Sequence, residues 1–464
     1  MENFVAGVTK INSAVNSFAW GPIMLILLVG TGVYLTIRTG FIQISKFGYA
    51  MRNTIGSVFS KKGQDHGNNL SPFQAMTTAL ASTVGTGNIA GVTGAIFTGG
   101  PGAVFWMWVS AFFGMCTKYA EILLAVKYRQ VEPDGTHHGG PMYSIEKGLG
   151  KNFKWLAVIF AILGGIATFG IGNISQSSEI SGAMKSLFGL DPLVTGIILA
   201  VIVAVVILGG VKRIGTVTSY MVPFMSVFYI LAGIAVIILR FTSLPSALMS
   251  IIRGAFNLQA VGGGVFGYAM MLAIRQGVAR GVFSNEAGLG SAPIAHSASS
   301  TTEPCEQAMW GIFEVFVDTI VICTITSLAV IMSGVLETSG GIDAFASKGA
   351  AAVQAFNMIL PGTLGGLVIQ ISLLFFSLST IIGWSYYGER CWGYLSNENK
   401  TVNLIFKIIF VLVCIVGATG SGTLMWDISD TLNGLMAIPN LISLLLLSGV
   451  VITTTKAYFS KNGR

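Results

Sequence analysis

Residues 81–94 read ASTVGTGNIAGVTG, with glycine at 85, 87, 91 and 94 and hydroxyls on Ser82, Thr83, Thr86 and Thr93. The stretch lies within a long apolar run, where each glycine weakens a helix by roughly 1 kcal/mol relative to alanine. An unwound turn at Gly85-Thr86-Gly87-Asn88 would expose carbonyls at the end of one half-helix and N–H groups at the start of the next. The first end attracts a cation and the second a carboxylate. The other reading is close helix packing on small residues; Asn88 and the hydroxyls favour the break. Ser379 and Thr380, in FFSLSTIIGW, offer oxygens suited to a hard cation or to bonds within their own helix. Trp384, at i+4 from Thr380, shares its face. Glu314 and Asp318 are i and i+4 in an apolar run, where they could bind a cation or a proton, or pair with Arg275 or Arg280. Lys118 and Glu121, at i and i+3, are expected to pair.

These residues need a membrane-embedded frame. Hydrophobic residues are 53% of the 464, charged residues 10%, and the mean hydropathy is +0.75. Eleven apolar spans are expected, near 18–37, 72–99, 103–127, 155–182, 192–209, 217–239, 261–292, 307–335, 363–388, 403–419 and 430–455. An unpaired backbone cannot face lipid, so each span is read as helical; the short alternating strands of a barrel are not seen. Helices lying along the surface are expected at 244–258 and 340–358. With the N-terminus outside, 18 of the 26 Lys and Arg fall in inside segments, so the N-terminus is placed outside and the C-terminus inside a cell membrane. The first span is read as a retained helix, not a signal peptide.

A second interrupted span is expected at 261–292, broken at Gly277 beside Gln276 and Arg275. With the first helix set apart as an accessory, the broken spans are the first and sixth of ten. That pattern marks inverted repeats with a binding site between them. The chain then divides into an accessory helix and loop (1–70), a first five-helix repeat (71–239), an inverted second repeat (240–455) and a short tail (456–464).

GGPGAVFWMWVSAFFG (Gly99–Gly114), VGTGN (Val84–Asn88) and SNEAGLGSAP (Ser284–Pro293) resemble the alanine or glycine:cation symporters, and the resemblance extends over essentially the whole chain. It implies an all-α LeuT-type fold of five plus five helices with one extra helix, and sodium-coupled uptake of alanine and glycine without ATP. It implies a substrate site from Thr83, Gly85, Thr86, Gly87, Asn88, Phe169, Asn173, Gln276, Gly277, Thr380 and Trp384. On the third core helix, Phe169 and Asn173 are favoured over Gln176. The sodium ligands implied are Ala81, Val84, Phe376, Ser379 and Thr380, with Asn88 reaching a second ion. Asp318, Glu314 and Arg275 are candidates for coupling or gating.

No enzyme signature appears: there is no Walker sequence, no HExxH and no GxGxxG after a strand. The four histidines fall in polar connections, so a Ser/His/Asp arrangement at membrane depth is not expected. Five scattered cysteines suggest neither a disulfide framework nor a zinc site. Rival readings are a proton-coupled transporter, a passive amino-acid channel and an intramembrane hydrolase. No cofactor beyond the coupling ion and no nucleic acid is expected, and the protein is expected to act as a monomer.

Overall fold

A computed structural model describes residues 2–58, 67–256, 263–345, 347–420 and 423–461. Helices α1 (Glu2–Ala19) and α2 (Pro22–Arg38) form a nearly continuous apolar stretch, followed by short α3 (Ile42–Ser45) and α4 (Phe47–Val58). Ser71 starts α5 (Pro72–Thr83) with a reciprocal cap: its hydroxyl accepts from Gln74 N–H, and the Gln74 side chain accepts from Ser71 N–H. The helix breaks at Val84–Thr86, then resumes through a π turn, Gly87–Gly91, into α6 (Val92–Gly99). After Gly100, at φ +71°, α7 (Gly102–Lys127) runs through the centre of the molecule against α2 and two later helices.

A small hairpin, β1 (Gln130–Val131) with β2 (His137–His138), leads to α8 (Pro141–Gly148). Next come α9 (Lys154–Phe169) and α10 (Ser175–Phe188), joined by a π turn at Gly170–Ile174. Asp191 caps α11 (Pro192–Ile207), and α12 (Gly210–Leu239) carries Pro223 inside it. The expected surface helix at 244–258 is α13 (Leu244–Phe256), with strong one-sided burial through Ala247, Ile251 and Ala255.

The second half holds α14 (Gly263–Asn285), α15 (Ala292–Ser297), and α16 (Pro304–Val315) with α17 (Thr324–Ser333) joined by a π segment, Phe316–Cys323. Short α18 (Val335–Thr338) precedes α19 (Lys348–Asn357), which Ser347 caps and which lies in the other expected surface-helix region. The chain ends with α20 (Leu364–Leu395), α21 (Lys400–Thr419), α22 (Thr423–Leu446) and α23 (Ser448–Lys461). Apolar side chains point outward on several helices, among them Val201, Val205, Leu231 and Leu412, while Ser, Thr, Asn and acidic groups are buried. That reversal of the soluble pattern suits a lipid solvent. The chain is a multi-pass membrane protein.

Three expectations change. The span at 261–292 is not broken at Gly277; α14 runs unbroken from Gly263 to Asn285, residues 261–262 lying outside the described residues. A Cβ on Gly277 would collide with Ala103 O, so this glycine serves close packing of α14 on α7. The break falls at 286–291, where Glu286, Gly288 and Gly290 take φ of +57°, +92° and +83° and end the helix. The span at 430–455 is two helices meeting at 58° around Leu447. Among the described residues, seven helical stretches are long and apolar enough to cross a membrane, and that bent pair makes an eighth. The expected span at 192–209 is a shorter helix, whereas the one at 72–99 is broken as expected.

Candidate functional site

The break in α5 frees carbonyl oxygens at one place. Val84 N–H still reaches Leu80 O at 2.8 Å, but the Val84 backbone is extended. Gly85 N–H turns to Asn88 Oδ1 at 2.9 Å instead of continuing the ladder to Ala81 O. Ala81 O then faces Thr380 Oγ1 on α20 at 3.2 Å, with Val84 O at 3.5 Å and Phe376 O at 2.9 Å from the same hydroxyl. Ser379 Oγ donates to Phe376 O at 2.8 Å. All five residues are buried. Gly85 permits the approach, since a Cβ there would lie 2.6 Å from Thr380 Oγ1. The result is a cluster of neutral oxygens between two helices, a donor set suited to a hard monovalent or divalent cation.

Beside it is a small cavity, about 20 Å³, lined by Thr83, Gly85 and Gly87 of the broken helix and by Thr380 and Trp384 of α20. Ile171, Gln176, Phe283, Glu286 and Asn433 complete its walls with Ser82. Trp384 fits because Gly172 has no side chain: a Cβ there would collide with Trp384 Cβ. Phe283 also borders a second cavity of about 260 Å³, walled by Thr86, Gly91, Glu179 and Lys348 among others. Phe283 stands in the walls of both; Arg280, which lines the second, lies 5.3 Å from the Phe283 ring and 3.6 Å from Asp430.

The favoured wall residues of the third core helix stand elsewhere. Phe169 packs on Phe406 and Phe410, with ring centroids 5.4 and 6.2 Å away. Asn173 Nδ2 donates to Phe410 O at 2.7 Å, and its Oδ1 accepts from Ser177 Oγ. Gln176, the disfavoured residue, lines the cavity instead, and its Oε1 has no partner among the described residues. The π turn at Gly170–Ile174 adds a residue between Phe169 and Gln176 and so shifts the helical phase at Gln176. Gly277 faces Ala103 and Trp106 of α7, Gln276 lies against Gly99 at the end of α6, and neither lines the cavity. Thr86 borders the second cavity, not the first.

Buried charge forms two networks. Asp318 Oδ1 accepts from Asn88 Nδ2 at 2.7 Å, and its Oδ2 accepts from Ser284 Oγ at 2.8 Å and Thr319 Oγ1 at 2.7 Å. Asn88 is thus engaged on both sides, through Gly85 N–H and Asp318. Glu314 pairs with Lys118 at 3.3 Å, not with Arg275 or Arg280. It also accepts from Thr83 Oγ1 at 2.9 Å and lies 3.0 Å from His296 Nε2. Lys118 donates to Asn285 O at 2.7 Å, the last residue of α14. Glu121 does not pair with Lys118; it accepts from Gly288 N–H and the Asn440 amide. His296, assigned from sequence to a polar connection, is buried in this cluster. One hub therefore joins the end of α5, the end of α14, α15, α7 and α16. Asn-Glu-Ala-Gly-Leu-Gly followed by Pro293 was the signal that could have located the second break.

The profile of the sodium:alanine symporter family matches residues 5–464. The sodium/alanine symporter AgcS of Methanococcus maripaludis is 51% identical over 454 residues, 97% of each chain. Among solved structures, MhsT in complex with L-phenylalanine superposes with a TM-score of 0.57 at 14% identity, over 85% of this chain and 99% of that one. A Na+-coupled sialic acid symporter in a substrate-bound outward-open state gives a TM-score of 0.56 at 13% identity, over 94% of this chain and 86% of that one. The fold is the LeuT type, and the chain is a transporter and not an enzyme. With its broken α5, the oxygen cluster that the break shares with α20, and a match along nearly its whole length, the chain belongs to the sodium:alanine symporter family.

Proposed function

We propose that the chain couples sodium influx to uptake of small neutral amino acids, alanine and glycine, by alternating access. The observation that carries this is at Thr380. Its hydroxyl has one proton, yet three carbonyls lie within 3.5 Å of the oxygen. A hydroxyl can donate to one of them; a cation drawn among Ala81 O, Val84 O, Phe376 O, Ser379 Oγ and Thr380 Oγ1 would serve all of them at once. The similarity to a sodium/alanine symporter supports sodium as that cation. The amino-acid carboxylate is assigned to the N–H groups that open the second half of the broken helix, at Thr86 and Gly87, where the helix dipole favours an anion. A small side chain would face Trp384, Ile171 and Phe283. The N-terminus lies outside and the C-terminus inside, following the Lys and Arg asymmetry, and the unit of transport is one chain.

The polar groups gather in a small cavity of about 20 Å³ beside the break, and this favours a carrier over a channel. A second reading, proton coupling, is favoured by Asp318. Its carboxylate is buried, hydrogen-bonded by neutral donors, and without a cationic partner within ion-pair distance among the described residues. Labelled-alanine uptake into liposomes decides between them. Sodium symport predicts accumulation under an inward sodium gradient at equal pH, and none under a proton gradient alone. Uptake driven by the proton gradient without sodium would overturn the sodium reading in favour of Asp318.

A further inference from the structure

Four buried carboxylates surround the breaks: Glu314 is held by Lys118 and His296, Asp318 by three donors, and Glu121 through Oε1 by Asn440 and Gly288, and none of these three lines the small cavity. Glu286 differs. It is 2% exposed, lies in the break between α14 and α15, and is the one acidic residue lining the small cavity. Its Oε2 accepts from Ser291 Oγ at 2.7 Å, while Oε1 accepts no hydrogen bond among the described residues. Its backbone is left-handed, φ +57°, a conformation for which glycine is the economical choice and which the next positions, Gly288 and Gly290, fill with glycine. A side chain is retained here against that backbone preference. Gln176 Oε1, another acceptor without a partner, shares the cavity.

From this placement we infer that Glu286 recognises the ammonium group of the substrate, with Gln176 Oε1 beside it, and so selects amino acids over the corresponding hydroxy acids. The inference rests on the cavity being the amino-acid site. A zwitterion then matches the walls: its carboxylate meets the N–H groups that open the second half-helix, and its ammonium meets a carboxyl that Ser291 holds in place. A 2-hydroxy acid keeps the first contact, but offers Glu286 a neutral hydroxyl in place of an ammonium. Ser291 is a positioning residue, holding one oxygen so that the other faces the ligand.

The test is competition against labelled alanine on purified protein in saturating sodium, using alanine and 2-hydroxypropanoate. Wild-type protein that binds no alanine would overturn the functional reading itself; the rest applies once it binds. Glu286→Gln should weaken alanine at least about tenfold and strengthen 2-hydroxypropanoate, so that their ratio falls sharply. Unchanged alanine affinity would overturn the inference. So would loss of alanine binding without gain of 2-hydroxypropanoate binding in monodisperse protein, because that marks a supporting role. If the glutamine variant does not fold, Glu286→Asp keeps the charge but draws it back. A ratio lowered several-fold there supports the assignment, and an unchanged ratio overturns it.

Discussion

Thr380 shows how little must be altered to test ion binding. Ser379 and Thr380 contribute two hydroxyls to a set whose other members are backbone carbonyls, which mutation cannot remove. The Ser379→Ala/Thr380→Ala protein is expected to need at least about tenfold more sodium for half-maximal alanine binding, with affinity largely recovered at saturating sodium. Reciprocal linkage between ion and substrate requires that pattern. Wild-type sodium dependence in an equilibrium binding assay would show that the hydroxyls serve their own helix. Two neighbouring glycines should respond differently. Gly85→Ala drives a Cβ to 2.6 Å from Thr380 Oγ1, whereas at Gly87 the nearest atom is Phe283 Cδ1 at 3.2 Å, on a ring able to shift. Gly85→Ala should abolish alanine binding and Gly87→Ala should only weaken it; the larger Gly87→Val, which must displace the ring, should abolish it too.

At the scale of elements, the two broken helices are tied together by charge. Lys118 holds Asn285 O, the end of α14, and Glu314, which in turn holds Thr83, the end of α5, and His296 on α15. Removing one partner of a fully buried pair leaves the other uncompensated, at a cost of about 3–5 kcal/mol. Lys118→Met should therefore lower the melting temperature sharply, and Lys118→Met/Glu314→Gln should recover part of the loss. Equal melting of wild type and Lys118→Met would show that the hub does not hold the fold together. The packing role of Gly277 is separable from any break: Gly277→Leu should destabilise the folded protein by forcing α14 off Ala103 O, and thermal unfolding in detergent would register it.

Across the whole molecule, the hairpin end is closed by a latch. Arg129 donates to Ser299 O and Thr301 O, both at 2.8 Å, and His137 N–H donates to Asn69 Oδ1 at 2.8 Å. Leu70 and Ser300 bridge the segments before α5 and after α15. If alternating access opens this end, Arg129→Ala should raise the reactivity of a cysteine placed at Ser299 toward a soluble thiol reagent, and saturating sodium with alanine should alter that reactivity. His138 lies 3.5 Å from Glu398 and 3.7 Å from Glu132, but burial lowers its pKa from 6.5 to about 4, so the ring is neutral there. A neutral buried histidine contributes its full stability above pH 6.5, and the contribution is lost as pH falls toward about 4. Unfolding stability of His138→Asn should accordingly depend less on pH across that window than the wild type does.

Sequence alone determined the membrane class, the helical character and the first break, because apolar length and a glycine cluster beside Asn88 are local signals. It also placed Ala81, Val84, Ser379 and Thr380 in one expectation through the family resemblance. Tertiary structure decided what depends on rotation and on contacts distant in the chain. Gln176, beyond a π turn, lines the cavity while Asn173, inside that turn, bonds Phe410 O, and a one-residue change of helical phase leaves no mark in composition. Gly277 looked like a break because packing glycines and breaking glycines are the same residue; only the Ala103 carbonyl beside it separates the two. Lys118 chose Glu314, 196 positions away, over Glu121 one turn along its own helix, because Gly288 N–H and Asn440 already hold Glu121. Buried charges pair with whatever the fold brings within reach, and that is a property of the assembled bundle.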